Sequence, residues 1–578
     1  MILMIDAFEK ISVQIHENNK VAAKSVAQEI AALMKPDAPQ SYHTFMHKQL
    51  FDHVDILKEN IHIPDGTIDK SSAVSYAAYY EAKIEAVGGI DFQILGIGLN
   101  GHIGFNEPGS SRNSGTRIIA LDNSTRLANA YEFASIADVP RLALTMGIAS
   151  IMKSKKIVLL AFGESKANII KASIEGEITD SIPATFLQEH PNCVFHLDDA
   201  SASKLIRNDA PWLTGQIKWD EKLIRKAVCS MAMNLKKPLL MLTRQDYHQE
   251  GLSELIEKMG GVSEANLRVF NGLRDTITGW PGGKPMEDVP RHPERRNPAK
   301  KRVIIFSPHP DDDIISMGGT FMRLVQQGHD VHVGYQTSGN IAVSDEFVMR
   351  QIDFAVEFDS FFEIDKSLAG TIWKDAASFI KTKKANDKDT PEIRSIKGMI
   401  RRTEARATCR YVGVKDENIH FMNLPFYETG LIKKNPPCEA DIQIHVDLIR
   451  KVRPHQIFAA GDFAGSHGTH KVCFDVMYAA LKRLKAEKDP AVEDCRLWLY
   501  RGAWAEWNIW ELDMAIPMSP DQVLQKRNGI FIHQSQKDGV VFQGTDSREF
   551  WQRAEDRNAG TAKLFDCLGL PQYAALEA

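Results

Sequence analysis

The sequence predicts an α/β protein with two open-sheet domains, and three observations support this prediction. Short β-branched apolar runs, such as residues 303–306 and 457–460, alternate with segments of helical periodicity, as in parallel sheets covered by helices. The 578 residues are too many for one hydrophobic core. A segment rich in proline, glycine and charge, between residues 276 and 301, divides the chain.

The composition argues against several classes of protein. The net charge of -5 lacks the basic excess that a nucleic-acid-binding protein usually shows. The first residues lack the basic segment of a secretory signal peptide, and no apolar run is long enough to cross a membrane. The seven cysteines are scattered without a C-x-x-C pair, which favours reduced thiols over a disulfide framework. We therefore expect a cytoplasmic protein with no nucleic-acid partner.

In the N-terminal half, a predicted strand ends in a glycine-rich turn. The apolar residues 92–97 lead into Gly98, and His102 and Glu107 follow shortly after. Glycines let a backbone approach a ligand closely, and a histidine beside a glutamate can act as an acid–base pair. The pattern indicates a small-molecule site at the end of this strand.

This string, residues 99–109, resembles the signature of the glucosamine-6-phosphate deaminases/isomerases. Segments 40–47, 51–56 and 162–166 match that family as well, so that the resemblance covers about residues 10–200. It implies self-association and a set of site residues: His102 to assist ring opening, Glu107 to orient His102, Lys166 to hold the sugar phosphate, and Asn100 and Gly101 to contact the substrate.

The N-terminal half departs from that family in two ways. The family usually has Asp where this chain has Asn100, and Asn cannot take up a proton as a base. A glycine-rich phosphate loop and a strand with an Asp-Glu pair should precede residue 40, yet the first glycine is Gly66. Residues 21–34 have a helical pattern and run almost directly into Pro36. We expect about two strands and a helix to be missing, through either a natural loss or a faulty gene sequence.

The middle of the chain is expected to connect the two domains. Residues 211–275 show helical patterns, and the Pro-rich, charged segment 291–298 is typical of a solvated linker. The sequence thus predicts three segments: residues 1–210, 211–300 and 301–578.

In the C-terminal half, polar side chains follow two predicted strands. His309, Asp311 and Asp312 come directly after the strand at 303–306, and His467 and His470 follow the strand at 457–460. Sites in open α/β sheets form outside the carboxyl ends of strands. A catalytic zinc ion takes three protein ligands and leaves a fourth position for water. Histidines three apart at a helix start share a face, so one can bind metal while the other faces a substrate.

The motif at 308–312, with the later His-x-x-His, resembles the zinc-dependent PIG-L/LmbE-type deacetylases, which remove acetyl groups from N-acetylglucosamine-containing compounds. The resemblance covers about residues 301–578, and Asp313 stands where that family often has Glu. It implies a Zn²⁺ cofactor and specific roles: His309, Asp312 and His470 as zinc ligands, Asp311 as the general base, and His467 as the group that stabilises the oxyanion.

The sequence thus predicts two Rossmann-like open-sheet domains joined by a helical connector and a Pro/Gly-rich linker. We expect an amino-sugar enzyme whose C-terminal domain deacetylates an N-acetylglucosamine-type substrate. The N-terminal domain is expected to belong to the deaminase family, which forms fructose 6-phosphate and ammonia, with impaired activity in this chain. In the alternative interpretation, the N-terminal half is a non-catalytic module that binds a sugar phosphate or mediates oligomerisation and regulates the zinc domain.

Overall fold

The computed structural model describes twelve stretches of the chain, and the statements below concern these residues: 11–16, 30–32, 35–38, 41–129, 138–285, 295–364, 366–383, 387–430, 434–463, 468–502, 506–537 and 548–578. Their contacts divide the chain into two units, Met1–Lys218 and Trp219–Ala578. Among these residues, no helix is both long enough and apolar enough to span a membrane.

The first unit contains strands and helices in alternation. Its strands are β1 (Ser12–His16), β2 (Ile30–Ala32), β3 (Gln93–Leu95), β4 (Arg117–Ala120), β5 (Leu142–Thr145), β6 (Ile157–Ala161) and β7 (Cys193–Asp198). Its helices are α1 (Tyr42–Gln49), α2 (Ala73–Ala86), α3 (Asn123–Asn129), α4 (Ile148–Met152), α5 (Ala167–Glu175) and α6 (Ile206–Asp209).

A parallel sheet of order β1-β7-β6-β3 forms the centre of the first unit. Its apolar residues, among them Leu95, Leu159 and Phe195, are buried in one core. Strands β2, β5 and β4 form a separate antiparallel sheet. Because β3 and β6 are parallel neighbours, the turn at residues 96–100 and the segment after β6 meet at one edge of the sheet.

The sequence-based assignment of a helix to residues 21–34 is wrong for residues 30–32. They form β2, which pairs antiparallel with β5, and residues 21–29 and 33–34 lie outside the described part of the chain. A run of Ile-Ala-Ala carries no side-chain period, so pairing with a neighbouring strand decides its conformation. Strand β1 was not predicted, because an alternation of polar and apolar residues over only five positions is a weak local signal.

The second unit is the larger of the two. Its helices are α7 (Glu221–Leu235), α8 (Arg244–Gln249), α9 (Ser253–Met259), α10 (Val262–Arg274), α11 (Asp312–Gln326), α12 (Asp345–Phe361), α13 (Lys366–Thr382), α14 (Pro391–Val412), α15 (Glu439–Val452), α16 (Thr469–Ala486), α17 (Pro520–Phe531) and α18 (Phe550–Cys567). Its strands are β8 (Arg302–Ser307), β9 (Asp330–Tyr335), β10 (Ile419–Phe421), β11 (Gln456–Ala460), β12 (Arg496–Tyr500), β13 (Ile516–Met518) and β14 (Ala575–Glu577).

Five parallel strands in the order β10-β9-β8-β11-β12 form the main sheet of the second unit. The two strands predicted from buried apolar runs are confirmed as β8 and β11, and both are buried on each face. From β8 the chain continues to β9 on one side and later returns to β11 on the other. The strand order therefore reverses between β8 and β11, which is where open α/β sheets place their ligands.

Helices α7–α10, which lie within the predicted connector, are part of the second unit. The Leu239 amide donates to the Leu568 carbonyl over 3.0 Å, and the Arg225 guanidinium donates to the Leu512 carbonyl over 2.8 Å. The Gln456 side chain donates to the Pro281 carbonyl over 3.1 Å. Residues 286–294, which belong to the predicted linker, lie outside the described residues.

Candidate functional site

The loop after β8 is braced from within the sheet. The Asp313 amide donates to Ser307 Oγ over 3.1 Å, and the Tyr335 hydroxyl donates to Asp313 Oδ2 over 2.9 Å. Burial raises the pKa of Asp313 to about 7, while the bond from Tyr335 lowers it. Asp313 is thus buried and holds the loop in place. Asp311 and Asp312, which precede it, contact charged side chains from other elements.

Three predicted ligands converge where β8 and β11 end. His309 Nδ1 and His470 Nε2 each lie 3.2 Å from Asp312 Oδ2, and the two ring nitrogens are 3.3 Å apart. One ligand atom from each residue lies within 4.8 Å of the others. Ligands that bind a tetrahedral zinc ion at about 2.0–2.2 Å are separated by distances of this order. The geometry and the chemistry of the donors therefore fit one divalent metal ion.

Asp312 and His470 each shift the pKa of the other. Burial favours the neutral form of Asp312, yet the charge of His470 and hydrogen bonds from both histidines lower its pKa. Burial likewise disfavours a charged His470, but the charge of Asp312 and, less strongly, that of Asp462 raise its pKa. A buried carboxylate between two imidazoles is a site that stabilises a cation.

Asp311 faces a different partner, which the sequence did not reveal. Arg401 of α14 is 1% exposed, and its Nη2 lies 3.0 Å from Asp311 Oδ1. Its Nε and Nη1 have no hydrogen-bond partner among the described residues. Burial lowers the pKa of Arg401, but the charges of Asp311 and Glu404 outweigh this and raise it. An arginine within an amphipathic helix gives no local signal of such a role.

Two further side chains flank the cluster. His533 lines a small cavity together with Asp311, and its Nε2 lies 2.9 Å from Thr408 Oγ1. Burial lowers the pKa of His533 well below its ordinary value, so this ring is neutral. The ring of Tyr427 meets that of His309 edge-on at 6.1 Å. The predicted oxyanion residue His467 lies outside the described residues.

The first unit has its own cavity, at the carboxyl ends of β3 and β6. Its volume is about 310 Å³. The predicted residues Asn100, His102 and Lys166 line it, and further lining residues come from α1 and α3. Gly101 and Glu107 lie beside the cavity and do not line it within the described residues.

Asn100 links the two members of the predicted acid–base pair. Its Oδ1 lies 2.8 Å from His102 Nδ1, and its amide nitrogen donates to Glu107 Oε2 over 2.8 Å. His102 Nδ1 is 3.4 Å from Glu107 Oε2. Burial raises the pKa of Glu107, but the bonds from His102 and neighbouring groups outweigh this and lower it to about 2. An amide can donate and accept at once, so Asn100 orders this pair without adding a second carboxylate.

Close packing fixes the turn that carries these residues. A Cβ on Gly98 would lie 2.2 Å from His102 Cε1, and one on Gly101 would lie 2.6 Å from Ile182 Cγ2. Gly101 also has φ of 82°, which favours glycine. Lys166 Nζ donates to the Ile97 carbonyl over 2.7 Å, and burial lowers its pKa. The amine of Lys166 thus lies at the base of the turn.

Each half of the chain matches a known protein family. Residues 304–481 match the family of GlcNAc-PI de-N-acetylases, and residues 32–195 match the glucosamine-6-phosphate isomerases/6-phosphogluconolactonases. A glucosamine-6-phosphate deaminase-like protein of Bacteroides thetaiotaomicron is 50% identical over 543 residues, which are 94% of this chain and 82% of that protein. The chain belongs to this glucosamine-6-phosphate deaminase-like family. Both resemblances predicted from the motifs are confirmed.

Other relatives match one half only. The glucosamine-6-phosphate deaminase of Rhodopirellula baltica is 51% identical over 170 residues, 29% of this chain and 67% of that enzyme. Among solved structures, a monomeric glucosamine-6-phosphate deaminase is 33% identical with a TM-score of 0.30 and covers 35% of this chain and 92% of its own. The N,N'-diacetylchitobiose deacetylase of Pyrococcus horikoshii is 18% identical with a TM-score of 0.30, and covers 48% and 82%.

Proposed function

We propose that the second unit is a zinc-dependent deacetylase that hydrolyses the N-acetyl group of an amino sugar. The observation that carries this proposal is the convergence of His309, Asp312 and His470 at the point where the strand order reverses, next to the buried carboxylate of Asp311. The match of residues 304–481 to the de-N-acetylase family supports it.

The donor set suits zinc. Two imidazole nitrogens and one carboxylate oxygen are ligands that zinc takes in catalytic sites, with a further position left for water. A zinc ion bound there would polarise the amide carbonyl and lower the pKa of its water. Asp313 and Tyr335 hold the loop that carries two of the three proposed ligands.

Asp311 is proposed as the general base. It adjoins the cluster without belonging to it, and the ion pair with Arg401 fixes the direction of its carboxylate. In the reaction it would accept a proton from the attacking water and pass it to the leaving amine. His467 is proposed to donate a hydrogen bond to the oxyanion, as its resemblance to the family motif implies.

The first unit is proposed to bind an amino-sugar phosphate in the cavity beside His102 and Lys166, as a weak deaminase or as a binding module. The cavity and the ordered Asn100–His102–Glu107 group support binding. Deacetylation releases the amine that the deaminase family removes, so the two units would act on successive forms of one sugar.

Metal content and acetate release test the proposal on the intact chain. Purified protein should hold about one zinc ion and release acetate from N-acetylglucosamine, its 6-phosphate or N,N'-diacetylchitobiose. His309→Ala and His470→Ala should lose stoichiometric zinc, since three protein ligands are needed. His248→Ala, an exposed histidine of α8, is the matched control and should keep it. Full zinc occupancy in both ligand variants would refute the assignment.

A further inference from the structure

Helix α11, which begins at the metal ligand Asp312, is broken after its first turns. Met317 has φ of -129° and ψ of 31°, outside the helical region, and two glycines follow it. A break of this kind needs an identifiable cause, such as a side chain that inserts into the helical hydrogen-bond ladder. The cause here lies at the other end of the second unit.

The carboxylate of Glu577, one residue before the C-terminal residue, inserts at the break. Its oxygens accept from the Gly319 amide over 3.0 Å, the Thr320 amide over 2.5 Å and Thr320 Oγ1 over 2.6 Å. Glu577 is 1% exposed. It therefore caps the second half of α11 as an N-terminal residue would, with a negative charge at the positive end of the helix.

Lys526 of α17 neutralises this buried charge. Its Nζ donates to Glu577 Oε1 over 2.6 Å and to Asn558 Oδ1 over 3.0 Å, and Lys526 is 2% exposed. A buried ion pair is by itself weak evidence for a stabilising role, because apolar residues of similar volume often stabilise a protein as well. The pair must therefore be explained by what it holds in place.

The surroundings of the break leave little space for a side chain at either glycine. A Cβ on Gly318 would lie 2.9 Å from Lys526 Cγ, and one on Gly319 would lie 2.4 Å from Met518 Sδ and 3.1 Å from a Glu577 oxygen. Strand β14 holds Glu577 by antiparallel pairing with β13. The two glycines thus make room for the ion pair of Lys526 and Glu577 at the break in α11.

We propose that Glu577 is a positioning residue for the metal centre, which acts through the break in α11 on the short first segment that carries Asp312. This inference rests on the proposed function of the second unit. Gly319 is seven positions after Asp312, roughly 10 Å along a helix. The loop after β8 holds the first segment at one end, and at the other end the segment leads into Gly319 and Thr320, whose amides Glu577 holds.

Two variants test the inference on the intact chain. Glu577→Gln removes the charge and leaves Lys526 unpaired, which threatens folding; the double variant Lys526→Met/Glu577→Gln removes both charges. Both should bind zinc about 10-fold to 100-fold more weakly, the range found when partners of metal ligands are removed. In both, kcat for acetate release should fall more than KM changes, and amides of residues 313–320 should exchange faster with deuterium.

Glu555→Gln is the matched control, because it breaks another ion pair of α17, which joins Arg527 to Glu555 of α18. It should leave zinc affinity and amide exchange in α11 unchanged. A wild-type chain that binds no zinc would refute the proposed function itself. A wild-type chain that binds zinc, with a folded double variant that binds it as tightly, would overturn the positioning role alone, whatever the change in melting temperature.

Discussion

Asp311 and Asp312 are neighbours in the chain, yet the structure gives them different partners. Asp312 lies between two histidines, whereas Asp311 pairs with Arg401. Asp311→Asn should therefore keep zinc and lose acetate release by about 100-fold to 10,000-fold, since Asn cannot accept the proton of water. Zinc content and initial rates on the same samples measure this.

Asp475→Asn is a suitable control for this substitution. Asp475 lies on α16 with His470, but it is exposed and, among the described residues, pairs only with Lys471 on the surface. Its loss should leave the rate within about two-fold, because surface ion pairs contribute little. An unchanged rate in Asp311→Asn would remove Asp311 from the role of base.

We expect Glu506 to make the stability of the second unit depend on pH. Burial raises the pKa of Glu506 from 4.5 to about 7, although a hydrogen bond from Trp507 and the charge of Arg557 lower it. Between these values the folded state keeps a proton that the unfolded chain releases. The stability contribution is therefore fully present below about pH 4.5 and is lost as the pH rises through about 7.

Glu506→Gln should remove this dependence, because a neutral amide replaces the neutral acid. Between about pH 5 and pH 8, the wild-type free energy of unfolding should fall by up to about 3 kcal/mol more than that of the variant. Unfolding in guanidinium chloride at both pH values measures it. The control Glu493→Gln, at an exposed glutamate, should lose as much stability between the two pH values as the wild type. A Glu506→Gln variant that loses as much would contradict the prediction.

Three of the site residues predicted from sequence lie together in the structure, because each of them follows the end of a strand. His309 and Asp312 follow one buried strand and His470 follows another, so the topology of parallel strands brings them together. Arg401 and His533 were missed, because they lie in or after helices whose local patterns are ordinary. Only the packing of α14 and α17 on the sheet brings them near Asp311.

At the scale of elements, strongly apolar strands were predictable and short ones were not. The runs at 303–306 and 457–460 have one interpretation, since both faces of these strands are buried. Residues 30–32 have no such pattern, and their strand exists only by pairing with β5. The break in α11 was equally hidden, because its cause is a carboxylate more than 250 residues away in sequence.

Helices α7–α10 should be required for the stability of the second unit. The segment from α7 to α10, including its connecting turns, buries apolar side chains such as Val228, Leu239 and Leu252. It also donates hydrogen bonds to the α18 end and to the loop before β13. A fragment 219–578 should unfold cooperatively, whereas a fragment 301–578 should melt at a lower temperature or aggregate through its exposed apolar surface.

Thermal unfolding followed by circular dichroism compares the two fragments, and a fragment 211–578 is the control for the added length. It should have the same melting temperature as the fragment 219–578, because the contacts divide the chain after Lys218. Equal melting temperatures for 301–578 and 219–578 would show that α7–α10 are a separate connector.

At the scale of the whole molecule, the chain combines two enzyme families whose reactions are chemically consecutive. De-N-acetylases of the family matched by residues 304–481 produce a free amine, and members of the family matched by residues 32–195 include deaminases of glucosamine 6-phosphate. The residues proposed for the two reactions come from different units, so each reaction can be tested in the intact chain by its own product, acetate or ammonia.

The intact chain should produce little or no ammonia from glucosamine 6-phosphate. Deamination requires a held phosphate, an opened ring and a base at C2. None of the described residues that line the cavity of the first unit carries a carboxylate. Lys166 donates to the Ile97 carbonyl and offers a single point charge, which cannot replace a cradle of backbone amides.

Restoring one residue should not rescue this reaction. Asn100→Asp would return the acid usual in the family, but the sequence before residue 40 would still contain neither a glycine nor an Asp-Glu pair, and the new charge would lie beside Glu107. A misplacement of even about 1 Å can cost roughly 100-fold in rate. Here none of the described residues that line the cavity offers a carboxylate for the C2 proton. The measurement is ammonia and fructose 6-phosphate release by both chains, with acetate release as the check that they are folded. Turnover at about 1–1,000 per second in the wild type would show that another residue acts as the base.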